Sequence, residues 1–592
     1  MAPRAFTSHP LVVRRVTVRR IEEVTPRMRR IVVGGEALGD TVVDGHPHRA
    51  FAAPGFDDHV KLVFANDGDL EAALPLQLPH GIEWTSTDNR VTRDYTPRWI
   101  DADAGEIALD FVLHGDGPAA SWAQAAAVGD ALAFVGPKSS VRLPGDIDWI
   151  VLIADETGLP AVGRFLDERP VDAPAHVVLL VEDESGAQQL TLRDGDTVAW
   201  HVAAAGDAAA VEAAVRALPL PEEGSGYVWA AAESRALLPV RRYLQRERGL
   251  AKDRLNITGY WHVDVTQEGE AVVADDAPPP LQPPASPVPW LVTRAAVQLG
   301  MIDALADGAV ARDALAARLG VGEGALAALL PVLVSSEIVA VDGDDLRLGR
   351  MGDELLDEHH REEFDGLEAD AVLALAELAP AARAGVSPWR SAHGETLAEQ
   401  ARARGAHVDE LVENAGRLAY LLDGLAAHEM WERVSSVLVA GPGAPAVVGA
   451  LEDAGRSGIA IAVHEHGRVR EALRDEVERP GGLSWGAAPA DVAVLALALA
   501  HRTDAEAVAL LGEVAACTRR ALVIESSRPD ALSADADAHG AVVYAMTGAP
   551  FRTSDALAAL AADAGWRREQ SIPLGWGVEV TVLVRDTVLV SD

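Results

Sequence analysis

The first half of the chain contains the run Arg93-Asp94-Tyr95-Thr96-Pro97-Arg98, followed by His114-Gly115-Asp116-Gly117-Pro118 and then by Ser121-Trp122. These residue types suit a flavin nucleotide. An arginine pairs with a pyrophosphate, an aromatic ring lies on an isoalloxazine, and a neighbouring hydroxyl bonds its reactive nitrogen. A glycine-rich turn that opens a helix adds backbone N–H groups for the same pyrophosphate. An isolated Arg-x-Tyr-Thr is usually only part of a strand, but the pieces together, in this order, indicate a flavin site.

Short alternating stretches surround that run between residues 10 and 145 and predict a small antiparallel barrel. They are Val12–Arg20, His59–Phe64, Ile107–Leu113 and Ala131–Val135, separated by Gly, Asp and Pro turns. From residue 146 to residue 270 the pattern changes, because apolar strands alternate with helical stretches. The strands expected there are Trp149–Ala154, His176–Val181 and Gly226–Ala231. This alternation predicts a Rossmann-like parallel sheet.

Three further units follow. Residues 271–289 form a proline-rich linker, whose prolines forbid a helix and make an extended spacer. Residues 290–356 predict a winged helix, but basic residues are scarce at the start of its second helix. Dimerisation or a lid role therefore fits this unit better than DNA binding. Residues 357–592 alternate again and predict a second Rossmann-like sheet. The expected fold is multidomain, with β and α/β units.

The totals exclude several classes of function. The 592 residues carry a formal charge of −39, which argues against a nucleic-acid partner or an anionic membrane. No run of about 18 apolar residues occurs, and the first residues lack an apolar signal core, so the expected location is the cytoplasm. The single cysteine, Cys517, excludes an internal disulfide and an iron–sulfur cluster held by four thiolates. We expect it to be a small core residue, and we predict no metal site.

Residues from about 12 to 262 resemble the siderophore-interacting proteins, a branch of the ferredoxin-reductase-like flavoenzymes. The resemblance implies non-covalent FAD, electrons from NADH or NADPH, and reduction of Fe(III) held by a siderophore to Fe(II). The stretches that carry it are Thr25-Pro26-Arg27-Met28, His59-Val60-Lys61-Leu62, Arg93 to Arg98, His114 to Trp122, Gly129-Asp130, Gly136-Pro137, Asp155 to Ala161 and Gly259-Tyr260-Trp261.

The resemblance also implies roles for individual residues. The triplet expected to bind the flavin is Arg93, Tyr95 and Thr96, of which Tyr95 and Thr96 lie nearest the chemistry. The loop and helix start expected to face the pyrophosphate contribute His114, Gly117, Pro118, Ala119 and Ser121. Trp122 either packs near the adenine or is a core residue.

A second group of residues is expected to bind the nicotinamide cofactor at the carboxyl edge of the parallel sheet. Asp155, Glu156 and Thr157 follow the first strand, Glu182 ends the second, and Glu233 follows the third. An acid at the end of the second strand favours a free ribose hydroxyl and repels a 2′-phosphate, so NADH is favoured over NADPH. The alternative is that these acids are only a solvated loop.

Ferric siderophores are commonly anionic, so a basic mouth is expected beside the flavin. The candidate substrate residues are Lys61, Arg98 and Lys138, because they lie beside the flavin motifs. Relatives carry basic residues after Gly-Tyr-Trp, whereas this chain has His262-Val263-Asp264. That departure argues against tight siderophore binding through this segment.

Residues 290–592 resemble class I O-methyltransferases that carry a winged-helix dimerisation unit. The site expected from the resemblance comprises Gly441, Gly443, Glu465 and His501. The loop is unusual, because Ala440 replaces the leading acid, and Pro442 and Pro445 remove N–H donors. These changes argue against binding of S-adenosylmethionine. His501 precedes a helix where active relatives place a general base, but a histidine that caps a helix is commoner.

The main hypothesis is therefore an FAD-dependent, NAD(P)H-driven ferric-siderophore reductase fused to a degenerate methyltransferase-like half. Two alternatives stay open. One is a bifunctional enzyme whose second half methylates a siderophore or a related metabolite. The other is a flavin-containing scaffold. A homodimer through residues 290–356 is compatible with all three hypotheses and is the expected oligomer.

Overall fold

The structure is a computed structural model that describes residues 6–85, 87–113, 117–221, 223–261, 286–306, 308–477, 482–529 and 536–585. The expected linker at 271–289 and the segment His262-Val263-Asp264 lie largely or wholly outside these residues. Mixed β and α/β units follow one another along the chain, which confirms the predicted fold class.

The first unit is an antiparallel sheet of seven strands that bends into a barrel. Its edge strands are consecutive in the chain and are separated only by Thr96, so the sheet closes on itself at this residue. The strands are β1 (Phe6–Ser8), β2 (Val13–Thr25), β3 (Met28–Gly34), β4 (Thr41–Val43), β5 (His46–His48), β6 (Val60–Ala65), β7 (Leu76–Leu78), β8 (Gly81–Glu83), β9 (Arg90–Tyr95), β10 (Pro97–Asp101), β11 (Glu106–Val112), β12 (Ala131–Val135) and β13 (Ser139–Val141), with helices α1 (Leu70–Ala73) and α2 (Pro118–Ala125). The order in the main sheet is β10-β11-β3-β2-β12-β6-β9.

The second unit is a parallel five-stranded sheet with the order β16-β15-β14-β17-β18, in which β14 and β17 are buried throughout. The strand order reverses at β14, because β15 and β16 lie on one side of it and β17 and β18 on the other. The carboxyl ends of β14 and β17 are therefore where a ligand crevice is expected. The strands are β14 (Trp149–Ala154), β15 (Ala175–Val181), β16 (Thr197–Val202), β17 (Gly226–Glu233) and β18 (Leu255–Trp261), and the helices are α3 (Leu159–Glu168), α4 (Ala208–Arg216) and α5 (Leu238–Arg242).

A helical region follows. Helices α8 and α9 meet at 109° beside a small three-stranded sheet, where the sequence predicted a winged helix. The elements are α6 (Val288–Gln298), α7 (Met301–Leu305), β19 (Val310–Ala311), α8 (Arg312–Leu319), α9 (Glu323–Ser335), β20 (Val339–Asp342), β21 (Asp345–Leu348), α10 (Arg350–Glu354), α11 (Glu358–Asp365), α12 (Leu367–Ala374), α13 (Leu378–Ala384), α14 (Pro388–His393), α15 (Leu397–Arg404), α16 (Val408–Ala415) and α17 (Asp423–Ala427).

The last unit is a seven-stranded sheet with the order β24-β23-β22-β25-β26-β28-β27. Strand β28 is antiparallel to both of its neighbours, and the other pairs are parallel. The elements are β22 (Ser436–Ala440), α18 (Ala444–Asp453), β23 (Ala460–Val463), α19 (Gly467–Glu476), β24 (Ser484–Trp485), β25 (Val492–Ala496), α20 (Asp504–Ala515), β26 (Arg520–Ser526), α21 (Ala536–Thr547), α22 (Ser554–Asp563), β27 (Arg567–Gly575) and β28 (Val578–Val584). Cys517 is half-buried in the turn after α20, at the margin of the core.

The two halves of the chain pack against each other through the turn between β27 and β28. Trp576 forms this turn with φ near +53° and inserts against the apolar residues of β6, β8 and β12. Arg528 pairs with Glu83 at 2.6 Å, and Ser8 donates a hydrogen bond to Asp423 at 2.8 Å. Because Trp576 also contacts the core of the last sheet, it joins the hydrophobic interiors of both halves.

In the described part of the chain, no single helix has the length and apolar composition needed to cross a membrane. The bent pair α8 and α9 passes that test only when its two helices are counted together.

Candidate functional site

The closure of the barrel carries the residues predicted to bind a flavin. Arg93 and Tyr95 lie on one face of β9, and Thr96 follows at once. The ring of Tyr95 lies 4.5 Å from that of Phe111, centre to centre. Burial raises the pKa of Tyr95 to about 12, so its hydroxyl remains protonated. Arg93 is exposed, donates to the Thr92 carbonyl at 2.8 Å, and forms no ion pair with a described residue. The guanidinium is therefore available to an anion.

The Thr96 hydroxyl is buried and has no hydrogen-bond partner of standard geometry among the described residues. It faces the phenol of Tyr260. The pKa of that phenol is raised chiefly by burial, and the Thr96 hydroxyl opposes the shift although the contact falls short of a good hydrogen bond. A buried hydroxyl without a partner costs about 1–3 kcal/mol. A polar ring edge placed at the closure removes this cost, so the residues here fit a flavin.

The start of α2 lies beside this closure. Gly117 is its N-cap without a side-chain cap, and Pro118 occupies the first turn. Ala119 is buried, and Ser121 is exposed on the helix. Backbone N–H groups at such a helix start suit a phosphate. His114 lies outside the described residues.

Trp122 is partly buried and packs against the barrel core. Its ring centre lies 5.5 Å from that of Phe111 and 5.9 Å from that of Phe64. Of the two roles considered for this tryptophan, the packing supports the core role.

A cavity of about 240 Å³ opens at the carboxyl edge of the parallel sheet, where β14, β15 and β17 end. None of the described residues that line it is Lys or Arg. The structure brings together here all five residues predicted to bind the nicotinamide cofactor, which are Asp155, Glu156, Thr157, Glu182 and Glu233. The cavity is thus a strongly acidic crevice at the reversal point of the sheet.

Asp155 organises this crevice. Its Oδ1 accepts from the backbone N–H and the hydroxyl of Thr157, at 2.8 and 2.6 Å. Its Oδ2 accepts from the Trp261 indole at 2.8 Å and from the Glu233 backbone N–H at 3.1 Å. Burial raises the pKa of Asp155, and these four hydrogen bonds oppose the shift. Both oxygens are therefore committed to holding β14, β17 and β18 in register, and Asp155 positions the site more than it offers a free acceptor.

Arg27 is a site residue that the sequence prediction missed. It lies in the turn between β2 and β3 of the barrel and pairs with Glu156 at 3.2 Å and with Glu182 at 2.6 Å. Burial raises the pKa of Glu156, and Arg27 opposes this. The motif Thr25-Pro26-Arg27-Met28 was part of the family resemblance, but nothing in its spacing indicated a contact with the second unit.

Each of the three predicted substrate cations has a partner within the chain, and Lys61 lies near enough to Lys138 to lower the pKa of that ammonium. Lys61 pairs with Asp94 at 2.8 Å on the opposite strand face from Tyr95, and Arg98 pairs with Asp167 of α3 at 2.7 Å. Sequence proximity to the flavin motifs does not by itself place Lys61 beside Tyr95, because neighbours along a strand point to opposite faces.

Lys138, the third of these cations, lies under the second half of the chain. Its ammonium is 4.6 Å from the ring centre of Tyr420 and 5.7 Å from that of Trp576. Burial and Lys61 lower the pKa of Lys138, and Asp94 opposes them. Lys138 therefore anchors the two halves to each other.

The glutamate predicted for the methyltransferase site has partners within the chain. Glu465 is buried, accepts from the Gly441 N–H at 3.0 Å and pairs with Arg502 at 3.3 Å. Gly443 packs against Ala496 and begins α18. Glu465 is thus held by both Gly441 and Arg502.

His501 is also buried, and burial first and then Arg502 and other arginines lower its pKa well below its ordinary value. Its Nε2 lies 3.0 Å from an Arg502 nitrogen. This environment keeps the imidazole neutral.

Comparison with known proteins supports the first-half resemblance. The model of the siderophore-interacting FAD-binding domain matches residues 17–141, and that of the siderophore-interacting protein matches residues 147–264. The chain is 32% identical over 252 residues to the NADPH-dependent ferric-chelate reductase of Escherichia coli K12, covering 42% of this chain and 92% of the relative. The chain belongs to the siderophore-interacting protein family.

Solved structures resemble each half. A siderophore utilization protein from T. fusca is 34% identical, with a TM-score of 0.40, over 44% of this chain and 97% of its own. The mitomycin 7-O-methyltransferase MmcR is 21% identical, with a TM-score of 0.40, over 50% of this chain and 94% of its own.

Proposed function

We propose that the first half of the chain is an FAD-dependent oxidoreductase that uses NAD(P)H to reduce Fe(III) held by a siderophore to Fe(II). The observation that carries this proposal is the buried Thr96 hydroxyl without a good partner, set beside Tyr95 and the exposed Arg93 at the barrel closure. Family membership supports it, as does the relative named a ferric-chelate reductase.

FAD, when bound, accepts a hydride and can release its electrons one at a time, which suits Fe(III) reduction. The protein supplies binding and orientation. Arg93 and the N–H groups at the start of α2 would hold the pyrophosphate, Tyr95 would pack on the ring system, and Thr96 would bond its polar edge. Asp155 fixes the ends of β14, β17 and β18, and its partner Trp261 lines the crevice next to Tyr260, which contacts Thr96 of the closure.

We further propose that NADH is preferred over NADPH. Acidic side chains line the crevice, and Arg27 is already paired with two of them. A 2′-phosphate placed there meets carboxylates without a free cation, which costs binding energy that a ribose hydroxyl does not. The relative from Escherichia coli is named as NADPH-dependent, so the preference is a property to be measured on this chain.

This preference is tested by rapid mixing of the oxidised protein with each nucleotide, following the flavin absorbance. Glu182→Gln should bring the rates of flavin reduction by NADH and by NADPH closer together, because it removes an acid that lines the crevice. Glu184→Gln is the matched control, since Glu184 is a neighbouring exposed acid outside the lining. A wild-type preference for NADPH would overturn the assignment.

The second half is proposed to be a methyltransferase-like scaffold that does not bind S-adenosylmethionine. Arg502 neutralises Glu465, and Gly441 donates its N–H to that same acid. Pro442 and Pro445 remove two further donors from the loop. The alternative, a bifunctional enzyme, requires measurable binding of the cofactor. Calorimetry with the full chain decides between them, because micromolar affinity abolished by Glu465→Ala favours the alternative.

The remaining parts of the proposal are a ferric siderophore as substrate, a cytoplasmic location and a homodimer through residues 290–356. Exposed apolar side chains in and near that region, including Leu291, Val334 and Val341, support an interface there. Light scattering of the purified chain measures the dimer directly.

The central experiment is flavin binding. The purified protein should be yellow and release FAD on denaturation. Arg93→Ala should weaken FAD tenfold to a hundredfold, because a charge-assisted hydrogen bond contributes about 1.5–3 kcal/mol. Thr96→Val should weaken FAD binding less than Arg93→Ala does and should slow reduction of the flavin. Arg19 is an exposed arginine on β2, and Arg19→Ala should change neither the affinity for FAD nor the rate of reduction. Protein that stays colourless after addition of FAD would refute the proposal. A protein that binds FAD but reduces no ferric chelate would instead support the alternative of a flavin-containing scaffold.

A further inference from the structure

Three side chains that no functional assignment uses converge in the last unit. His464 follows β23, His466 precedes α19, and Glu513 lies near the end of α20. One ligand atom from each lies within 4.8 Å of the other two. The group is separate from the crevice and from the barrel closure, so an ion bound here is independent of the proposed reductase activity.

The spacing suits a tetrahedral metal ion. The Glu513 Oε2 lies 3.0 Å from the Nε2 of His464 and 3.4 Å from the Nε2 of His466. Zinc binds imidazole nitrogen at about 2.0–2.1 Å and carboxylate oxygen at about 2.0–2.2 Å, which places adjacent ligands of a tetrahedron about 3.3–3.5 Å apart. Both separations lie within about 0.3 Å of that range, and the third, between ligand nitrogens of the two histidines, is no more than 4.8 Å, so an ion fits once the imidazoles shift towards it.

Each side chain is turned towards the shared point. His466 occupies the N-cap position of α19 but makes no side-chain cap, and its imidazole contacts Glu513 instead. His464 is buried, with its ring centre 4.9 Å from that of His466. Glu513 and His466 are each about half exposed, at 51% and 50% of the side chain. A route from solvent to the point is therefore present.

The charge and the donor atoms of the three ligands limit which metal ion would bind. Two neutral imidazoles and one carboxylate carry a single negative charge, in a chain whose formal charge is −39. Mixed nitrogen and oxygen donors favour a borderline divalent ion over Mg²⁺ or Ca²⁺, which prefer oxygen alone.

We propose that His464, His466 and Glu513 form a zinc site with three protein ligands and a fourth position open to solvent. Three protein ligands with an open position are the pattern of sites that bind a water or a small ligand on the metal, whereas purely structural zinc sites have four.

The test uses untagged full-length protein that is first dialysed against a chelator and then against buffer. Equilibrium dialysis with Zn²⁺, followed by metal analysis, should give one ion per chain at micromolar free Zn²⁺. His466→Gln and Glu513→Gln should each weaken binding at least tenfold. Both residues are half exposed, so these variants should fold, which far-ultraviolet circular dichroism checks.

Two controls separate a site from general attraction to an acidic protein. Glu471→Gln removes an exposed acid of α19, and His360→Gln removes an exposed histidine elsewhere; both should bind as the wild type does. Co²⁺ substitution should give the intense visible bands of a tetrahedral site, and these should disappear in His466→Gln. Binding below one equivalent, or binding that His466→Gln and Glu513→Gln leave unchanged, would overturn the proposal.

Discussion

The buried pair between Glu465 and Arg502 gives the sharpest test of the proposal that the second half holds its own cofactor loop closed. The side chains are 3% and 6% exposed, and their closest atoms are 3.3 Å apart. Replacement of Arg502 by Met leaves the carboxylate buried with the Gly441 N–H, at 3.0 Å, as its one remaining partner among the described residues. Removal of one member of a buried pair costs about 3–5 kcal/mol. We expect the Arg502→Met variant to lose that much stability in the last sheet.

The double variant with Glu465→Gln separates charge from packing. A neutral amide keeps the acceptor for Gly441 and removes the stranded charge. Arg502 also donates to the carbonyl of Ala498 and contacts His501, so the double variant leaves this carbonyl and this imidazole without their arginine partner. The double variant should therefore recover most of the loss and remain about 1–2 kcal/mol below the wild type.

Hydrogen exchange of the amides in β22 and β23 is the suitable assay, because a chain of several units does not unfold in one step and global denaturation would mix their transitions. Saturating S-adenosylmethionine should not change the exchange of the wild type, since only a ligand that binds the folded state stabilises it. A single variant that loses less than about 1 kcal/mol, or a double variant as unstable as the single one, would refute the argument.

Three further predictions concern stability. Burial raises the pKa of Asp58 from 3.8 to about 7, so the folded state holds a proton that the unfolded state releases, and the unfolding free energy of the barrel should fall as pH rises from about 4 to 7. Asp58→Asn keeps the acceptor for Gly55 and should flatten this slope in hydrogen exchange of the β6 and β12 amides, and an unchanged slope would contradict the prediction. Burial lowers the pKa of His407, but Asp370 and Glu410 raise it to about 9, so the stabilisation from this histidine should be complete below about pH 6.5 and be lost as pH rises through 9. His407→Gln should remove that loss in hydrogen exchange of the α15 and α16 amides, and a loss that persists in the variant would contradict the prediction. Trp576→Ala should loosen the contact between the halves by about 2–3 kcal/mol, less than a fully buried tryptophan, and proteolysis that is no faster than in the wild type would argue against it.

Local sequence patterns were sufficient for most of the fold. The strand expected at Trp149–Ala154 has those same bounds, and Ala131–Val135 is likewise unchanged. Strands buried on both faces are apolar runs bounded by polar turns, so their bounds are visible in the sequence. Strand β27 has no such mark in the sequence, because Arg567–Gly575 is polar and mostly exposed.

The sequence determined the flavin motif, the acidic crevice and the weakened methyltransferase loop, because each depends on residue types at short spacing. Only the tertiary structure decided which groups are free to act. Whether a cation such as Lys138 faces substrate or a ring of Tyr420 depends on packing between segments far apart in the chain. The same holds for Arg27, which crosses from the barrel to the crevice, and for Arg502, which fills the place beside Glu465. Charge and hydrogen-bonding capacity are local properties, but the partner that uses them is set by long-range contacts, and no local pattern encodes that partner.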